Sequence, residues 1–545
     1  MSDSLLSVKD LTISFDVEGR TVRAVDGISF DVRPGEIVGL VGESGSGKTV
    51  SAMSTIRLVP TPPGNIESGE VLFEGKDLLK LPIDDLRKIR GKDISVIFQE
   101  PMTALSPLHT VGDQLAETIR VHDPEVSKED AMSKAIEWLE KVGIPDPEER
   151  AKAYPFQFSG GMRQRAMIAM ALILHPKLII ADEPTTALDV TLQAQIFELI
   201  LEMKAADTSI LFITHDMGVI WELADRVLVM KNGKIVERGP VEELFSEPKD
   251  DYTKKLLSAV PRLTDEPIES GVLDENAEPL IEVEGLKTWF PVKRGVFART
   301  VDWVKAVDDV SMEIFPGECL GLVGESGSGK TTLGRSILGL DTSREGSIRF
   351  EGNEIRGHDY HAMRSYRRDL QMVFQDPFSS LNPRLTVLEI LTEGPIEHGI
   401  LKENRRDAAA RWLEEVGLEA DTMNRYPHEF SGGQRQRICV ARAIAVEPKF
   451  IVCDEAVSAL DVTIQAQVID LLMELREKLG LSYLFISHDL SVVKRICNRT
   501  IVMRHGKVVE AGLTQSLVDD PQSEYTRQLI AAVPIPGDPN KRARH

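Results

Sequence analysis

The stretch GLVGESGSGKT spans Gly39–Thr49, and the same letters recur at Gly321–Thr331. Each copy follows a short apolar run, EIVGLVG or ECLGLVG, and each leads into a helix-compatible stretch. Gly42, Ser44, Gly45, Ser46 and Gly47 precede Lys48 and Thr49 in the pattern G-x-x-x-x-G-K-[ST]. Gly324, Ser326, Gly327, Ser328, Gly329, Lys330 and Thr331 repeat it. Such glycines let consecutive backbone N–H groups converge on a phosphate beside a helix N-terminus, which favours negative charge. Lys48 and Lys330 are expected to reach the β- and γ-phosphates of a nucleotide, and Thr49 and Thr331 to offer a hydroxyl to Mg2+. Val50 stands where the second copy has Thr332.

Working outward, the duplication extends over the whole chain. Gly321 follows Gly39 by 282 residues, Gln375 follows Gln99 by 276, Ser431 follows Ser159 by 272, and His488 follows His215 by 273. An offset this steady means two homologous domains rather than chance matches. A chain of 545 residues also exceeds what one core supports. The expected organisation is a first domain over 1–262, an acidic exposed linker over 263–280, a second domain over 281–537 and a short basic tail over 538–545. The 18 linker residues could reach roughly 60 Å if extended, at about 3.3–3.6 Å each. Phe15 precedes Gly42 by 27 residues but Phe290 precedes Gly324 by 34, so the second domain has a longer first hairpin.

Within each half, SVKDLTISF and AVDGISFDV alternate as strands do, while KLIIAD reads as a strand buried on both faces. KEDAMSKAIEWLEKVG and VTLQAQIFELILEMKAA carry helical spacing. The expected fold class is α/β: two P-loop NTPase domains, each a mixed β-sheet core with an inserted α-helical subdomain.

Further motifs supply chemistry. LIIADEP and IVCDEA each end a strand on two carboxylates, a repulsion that a divalent cation offsets. Asp182 and Asp454 suit Mg2+, and Glu183 and Glu455 suit a general base acting on water. His215 and His488 follow these pairs by 33 and 34 residues and are assigned to a γ-phosphate contact. Ser159-Gly160-Gly161 and Ser431-Gly432-Gly433 open helical runs and form second anion-binding N-termini that lack a lysine in the phosphate-loop position. Such a group is useful only on the face of a triphosphate that the phosphate loop leaves open. Head-to-tail pairing of the two domains within one chain would let each serine–glycine cap complete the opposite nucleotide site.

The formal net charge of −22 argues against a general nucleic-acid binder. Cys319, Cys439, Cys453 and Cys497 form no CxxC pattern and read as buried free thiols. The opening MSDSLLSVKD has no signal-like apolar run, and no stretch of 18 apolar residues occurs.

In this order the motifs resemble the nucleotide-binding domains of ABC ATPases, over about residues 5–262 and 281–537. FQEPMTALSPLHTVGDQ, FQDPFSSLNPRLTVLEI, YPFQFSGGMRQR, YPHEFSGGQRQR, YTKKLLSAVP and YTRQLIAAVP resemble the dipeptide/oligopeptide importer ATPases in particular. The resemblance implies that Phe15 and Phe290 stack on adenine, that Gln99 and Gln375 sense Mg2+ and the attacking water, and that Asp189 and Asp461 contact the opposite domain. It also implies two separate permease subunits and a solute-binding protein as partners, no nucleic acid, and a peripheral place at the cytoplasmic face of the inner membrane. ATP and Mg2+ are the expected cofactors, and neither an iron–sulfur cluster nor zinc is expected. Peptides are the expected cargo, with oligosaccharides, glutathione, opines or nickel as alternatives. A soluble tandem ATPase acting on ribosomes or DNA is disfavoured by the short acidic linker and the lack of zinc motifs or long heptads.

Overall fold

The computed structural model describes residues 4–17, 19–99, 104–184, 190–205, 208–265, 277–294, 299–458, 460–533 and 536–537. The chain forms two compact units, the first holding most of residues 1–260 and the second most of residues 261–533.

In the first unit, strands Arg20–Val32, Leu6–Val17, Gly64–Phe73 and Lys76–Asp77 form an antiparallel sheet in that order. A second sheet orders Lys234–Pro240, Arg226–Lys231, Ile37–Val41, Ser209–Ile213, Leu178–Asp182 and Ile94–Ile97. Its interior pairings are parallel, and only the edge pairing of Lys234–Pro240 with Arg226–Lys231 is antiparallel. Strands Ile37–Val41, Leu178–Asp182 and Ser209–Ile213 are buried at every residue, which is why their sequences are nearly continuous apolar runs. Leu6, Val8 and Leu11 of the antiparallel sheet pack with Val38, Leu40, Ile180 and Leu211 of the other, and with Ala52 of helix Lys48–Thr55 and Ile56 just past its end.

The inserted helical part contains helices Val111–His122, Lys128–Lys141 and Gly160–Leu172. Thr110 and Ser127 cap the first two by accepting from Asp113 N and Asp130 N, satisfying amides that the helix leaves open. Leu115, Ile119, Trp138, Leu139 and Met167 close its core.

The second unit repeats this plan, with an antiparallel sheet of Arg299–Ile314, Ile281–Arg294, Glu345–Phe350 and Asn353–Glu354. Its other sheet orders Leu370–Val373, Phe450–Asp454, Ser482–Ile486, Cys319–Val323, Arg499–Arg504 and Lys507–Leu513. The first hairpin is the longer one, with strands of 14 and 16 residues against 12 and 13, and its pairing extends to Arg294 opposite Arg299.

The stretch expected as an exposed linker over 263–280 is anchored at both ends. Leu263 is buried in the core of the second unit, and its carbonyl accepts from Lys494 Nζ. Leu280 is buried and donates its N–H to Ile314 O at 2.8 Å. Both leucines remove apolar surface from water, which an exposed tether would not do. Residues 266–276 of that stretch, and the tail over 538–545, lie outside the described residues. No helix among the described residues is long and apolar enough to cross a membrane.

Candidate active sites

Sheet register builds each site. Leu40 lies opposite Ile213 and Asp182 lies opposite Ile213 from the other side, so three strands end at one level. The phosphate loop, the acidic pair and His215 therefore converge at the carboxyl edge of a parallel sheet, the usual position for a ligand crevice. In the second unit Leu322 and Asp454 flank Ile486 in the same way.

Gly47 and Gly329 precede their helices at φ 101° and 104°, a region closed to most side chains. Lys48 Nζ donates to Gly42 O at 2.6 Å and Glu43 O at 2.9 Å, and Lys330 Nζ donates to Gly324 O at 2.7 Å and Glu325 O at 2.9 Å. Both ammonium groups are buried and held by carbonyls of their own loops. Ser46 Oγ and Ser328 Oγ are buried in the same loops with no hydrogen-bond partner. Orphaned hydroxyls beside a buried ammonium and converging amides fit a phosphate group.

Thr49 Oγ1 donates to Asp182 Oδ1 at 3.1 Å, and Thr331 Oγ1 donates to Asp454 Oδ1 at 2.9 Å. Burial pushes both carboxyls up to about 6, against the lowering effect of the threonine bonds. A buried carboxylate joined to a hydroxyl is a chemically suitable pair for a hard divalent cation.

The glutamates adopt an uncommon backbone conformation. Glu183 and Glu455 have φ of 46° and 45°, left-handed for non-glycine residues, and each N–H is tied to the end of the neighbouring strand, at Ile213 O and Ile486 O. Their carboxylates face a glutamine on one side and a histidine on the other. Gln99 Nε2 donates to Glu183 Oε2 at 2.9 Å, and His215 Nδ1 lies 3.3 Å from Glu183 Oε1. Gln375 Nε2 donates to Glu455 Oε2 at 2.8 Å, and His488 Nδ1 lies 3.5 Å from the same oxygen. Burial works to raise Glu455, but the hydrogen bond and charge of His488 overcome it and hold the carboxyl below its ordinary value. Burial works equally against a proton on His488, and Glu455 outweighs it, raising the imidazole.

Ser159 and Ser431 are exposed N-caps of helices Gly160–Leu172 and Gly432–Ile444, accepting from Met162 N at 3.3 Å and Gln434 N at 3.4 Å. Arg163 and Arg435 brace these turns by donating to Pro155 O and Pro427 O. Phe15 is half-buried on its sheet opposite Gly64, whereas Phe290 is 41% exposed. Asp461 occupies the N-cap position of helix Val462–Leu479, and Asp189 lies outside the described residues.

The ABC transporter family profile matches residues 25–186 and 307–458, more than half of the chain. The chain belongs to the ABC transporter family. A profile for the oligopeptide/dipeptide transporter C-terminal region matches residues 236–283 and 509–545. The chain is 52% identical over 531 residues to the peptidoglycan transport ATP-binding protein YejF of Agrobacterium fabrum, covering 97% of this chain and 96% of that one. It is 47% identical over 572 residues to the glutathione import ATP-binding protein GsiA of Salmonella typhimurium, covering 99% and 91%. A solved dimeric bacterial ABC transporter cassette matches 43% of this chain and 98% of its own, at 27% identity and a TM-score of 0.40. The chain is thus a tandem ABC ATPase of the dipeptide/oligopeptide importer type.

Three features were not legible in the sequence: the left-handed glutamates, the carbonyl grip on each loop lysine, and the approach of Cys319 Sγ to Cys497 Sγ at 3.3 Å. No spacing rule signals any of them: the glutamate conformation and the cysteine approach depend on which strands and helices become neighbours, and the lysine grip on how the loop closes on itself.

Proposed function

We propose that this ATPase is the energy-coupling subunit of a binding-protein-dependent importer of peptides, acting with two permease subunits at the cytoplasmic face of the inner membrane. The observation that carries the reading is the complete set in each unit of loop lysine, threonine–aspartate pair and glutamine–glutamate–histidine row. Peptide cargo is supported by the C-terminal match and by two relatives named for peptidoglycan and glutathione, both of which contain peptide linkages.

In this reading Lys48 and Lys330 leave their carbonyls for the nucleotide phosphates, and the loop amides with Ser46 and Ser328 take the remaining oxygens. Glu183 and Glu455 accept the proton of the attacking water, which Gln99 and Gln375 orient. His215 and His488 hold the glutamates and contact the terminal phosphate. Asp182 with Thr49, and Asp454 with Thr331, would hold Mg2+, which would neutralise phosphate charge. Phe15 and Phe290 would support the base. In the nucleotide-loaded state Ser431-Gly432-Gly433 would complete the Lys48 site and Ser159-Gly160-Gly161 the Lys330 site, with Asp189 and Asp461 at the junction.

Crosswise variants test that pairing. Lys48→Ala with Ser431→Arg damages one chamber only, whereas Lys48→Ala with Ser159→Arg damages both. The first should retain one nucleotide per chain on rapid filtration and the second none; equal retention would refute reciprocity. Transport is tested by uptake of labelled peptide in cells expressing the chain with its permease and binding protein, against cells carrying Lys48→Ala and Lys330→Ala.

A further inference from the structure

YTKKLLSAVP and YTRQLIAAVP stand near the end of each unit and contain no group used in the chemistry above. They form helices Asp251–Ala259 and Glu524–Ala532, within the stretches matched by the oligopeptide/dipeptide C-terminal profile. Each helix opens under tight local control. Glu237, on the edge strand Lys234–Pro240, accepts from Lys249 N at 2.8 Å and Asp250 N at 3.1 Å, and Glu510 accepts from Gln522 N at 2.8 Å and Ser523 N at 3.0 Å. Asp250 and Ser523 then cap the helices by accepting from Tyr252 N at 2.8 Å and Tyr525 N at 3.2 Å.

This arrangement aims one ring in each unit at the phosphate loop. Tyr252 and Tyr525 are 6% and 4% exposed, with Lys231 Nζ and Arg504 Cζ lying 4.7 and 4.6 Å from their ring centroids. Each phenol oxygen accepts a hydrogen bond from a loop amide, Glu43 N and Glu325 N, at 3.0 Å in both units. The same two residues present their carbonyls to the loop interior. Glu43 O accepts from Lys48 Nζ at 2.9 Å and Ser46 N at 3.1 Å, and Glu325 O accepts from Lys330 Nζ at 2.9 Å and Ser328 N at 3.1 Å. One loop residue is therefore held from outside by the C-terminal helix and from inside by the lysine and serine that face the phosphate position.

We propose that Tyr252 and Tyr525 are positioning residues for the nucleotide sites, fixing the first turn of each phosphate loop so that its amides are ordered before nucleotide arrives. A loop that must order on binding charges that entropy to the ligand, and a pre-ordered one does not. The tyrosines hold the loop at the amide of the residue whose carbonyl the lysine grips, and act on binding through the loop. Removing the phenol oxygen should therefore raise KM with kcat nearly unchanged, the signature of lost uniform binding. The appearance of the same bond on the same loop residue in both units makes a packing accident a poor explanation.

The proposal rests on Lys48 and Lys330 being phosphate ligands, and the experiment separates the two ideas. In the full chain, Tyr252→Phe, Tyr525→Phe and the double variant keep the ring and lose only the oxygen. The expected result is an ATP KM raised about three- to tenfold, the factor that one net hydrogen bond is worth. It should come with kcat within about twofold, a thermal midpoint lowered by no more than a few degrees, and faster amide exchange in peptides covering 40–47 and 322–329. Parental KM and parental exchange in the double variant would overturn the proposal, as would a loss of thermal stability with KM and loop exchange unchanged. Lys48→Ala with Lys330→Ala serves as the control. If that pair binds ATP like the parent, the phosphate assignment fails, and the tyrosine result is still read from amide exchange.

Discussion

The clearest quantitative consequence of these sites concerns Asp454. Its carboxyl is 3% exposed, and burial raises it from 3.8 to about 6. A folded-state value above the unfolded one means that the native chain holds a proton that the unfolded chain releases between about pH 4 and 6. Above pH 6 both states are ionised, and the native state carries the cost of a buried carboxylate. That cost is about 3 kcal/mol, from roughly two units at ~1.36 kcal/mol each. Asp454→Asn is nearly isosteric, and its side-chain oxygen can still accept from Thr331 Oγ1, so the variant removes this cost and little else. In EDTA and without nucleotide, the variant should be more stable than the parent at pH 8. The advantage should shrink by about 1.4 kcal/mol at pH 5 and about 2.4 kcal/mol at pH 4, nearing ~3 kcal/mol only below the unfolded value, as the parent takes up its proton. Urea unfolding of the second unit, read as the variant-minus-parent difference at each pH, measures this. A difference that stays constant from pH 8 to pH 4.5 would refute the reasoning. The variant should meanwhile lose ATP hydrolysis at its own site, because a group kept for chemistry is rarely the one that suits the empty fold best.

Glu183→Gln and Glu455→Gln should each retain ATP binding and lower turnover at their own site by about 10²–10⁴, the usual contribution of a positioned base; phosphate release in single turnover measures it, and a parental rate in the double variant would remove the assignment. All four cysteines are buried, and burial raises the Cys439, Cys453 and Cys497 thiols. At pH 8 the native chain should therefore alkylate far more slowly than the urea-unfolded chain, as followed by mass spectrometry; equal rates would contradict the core placement of these residues.

The sequence by itself named the candidate residues of both sites. Glycine spacing in GESGSGKT, carboxylates at the ends of apolar runs, and a near-constant offset between two halves report local backbone needs and duplication, and both are written in consecutive letters. It also carried the longer second hairpin, because inserted residues shift an offset that can be counted. It misjudged Leu263, whose neighbours in the chain are polar while its neighbours in space are the core of the second unit. Only the tertiary structure decided that Glu183 would lie between Gln99 and His215, separated from it by 84 and 32 residues. It likewise decided that Tyr252 would reach across 209 residues to Glu43. The physical reason is register: parallel strand order sets which loops share an edge, and that order follows from burying whole sheet faces rather than from any local run of residues.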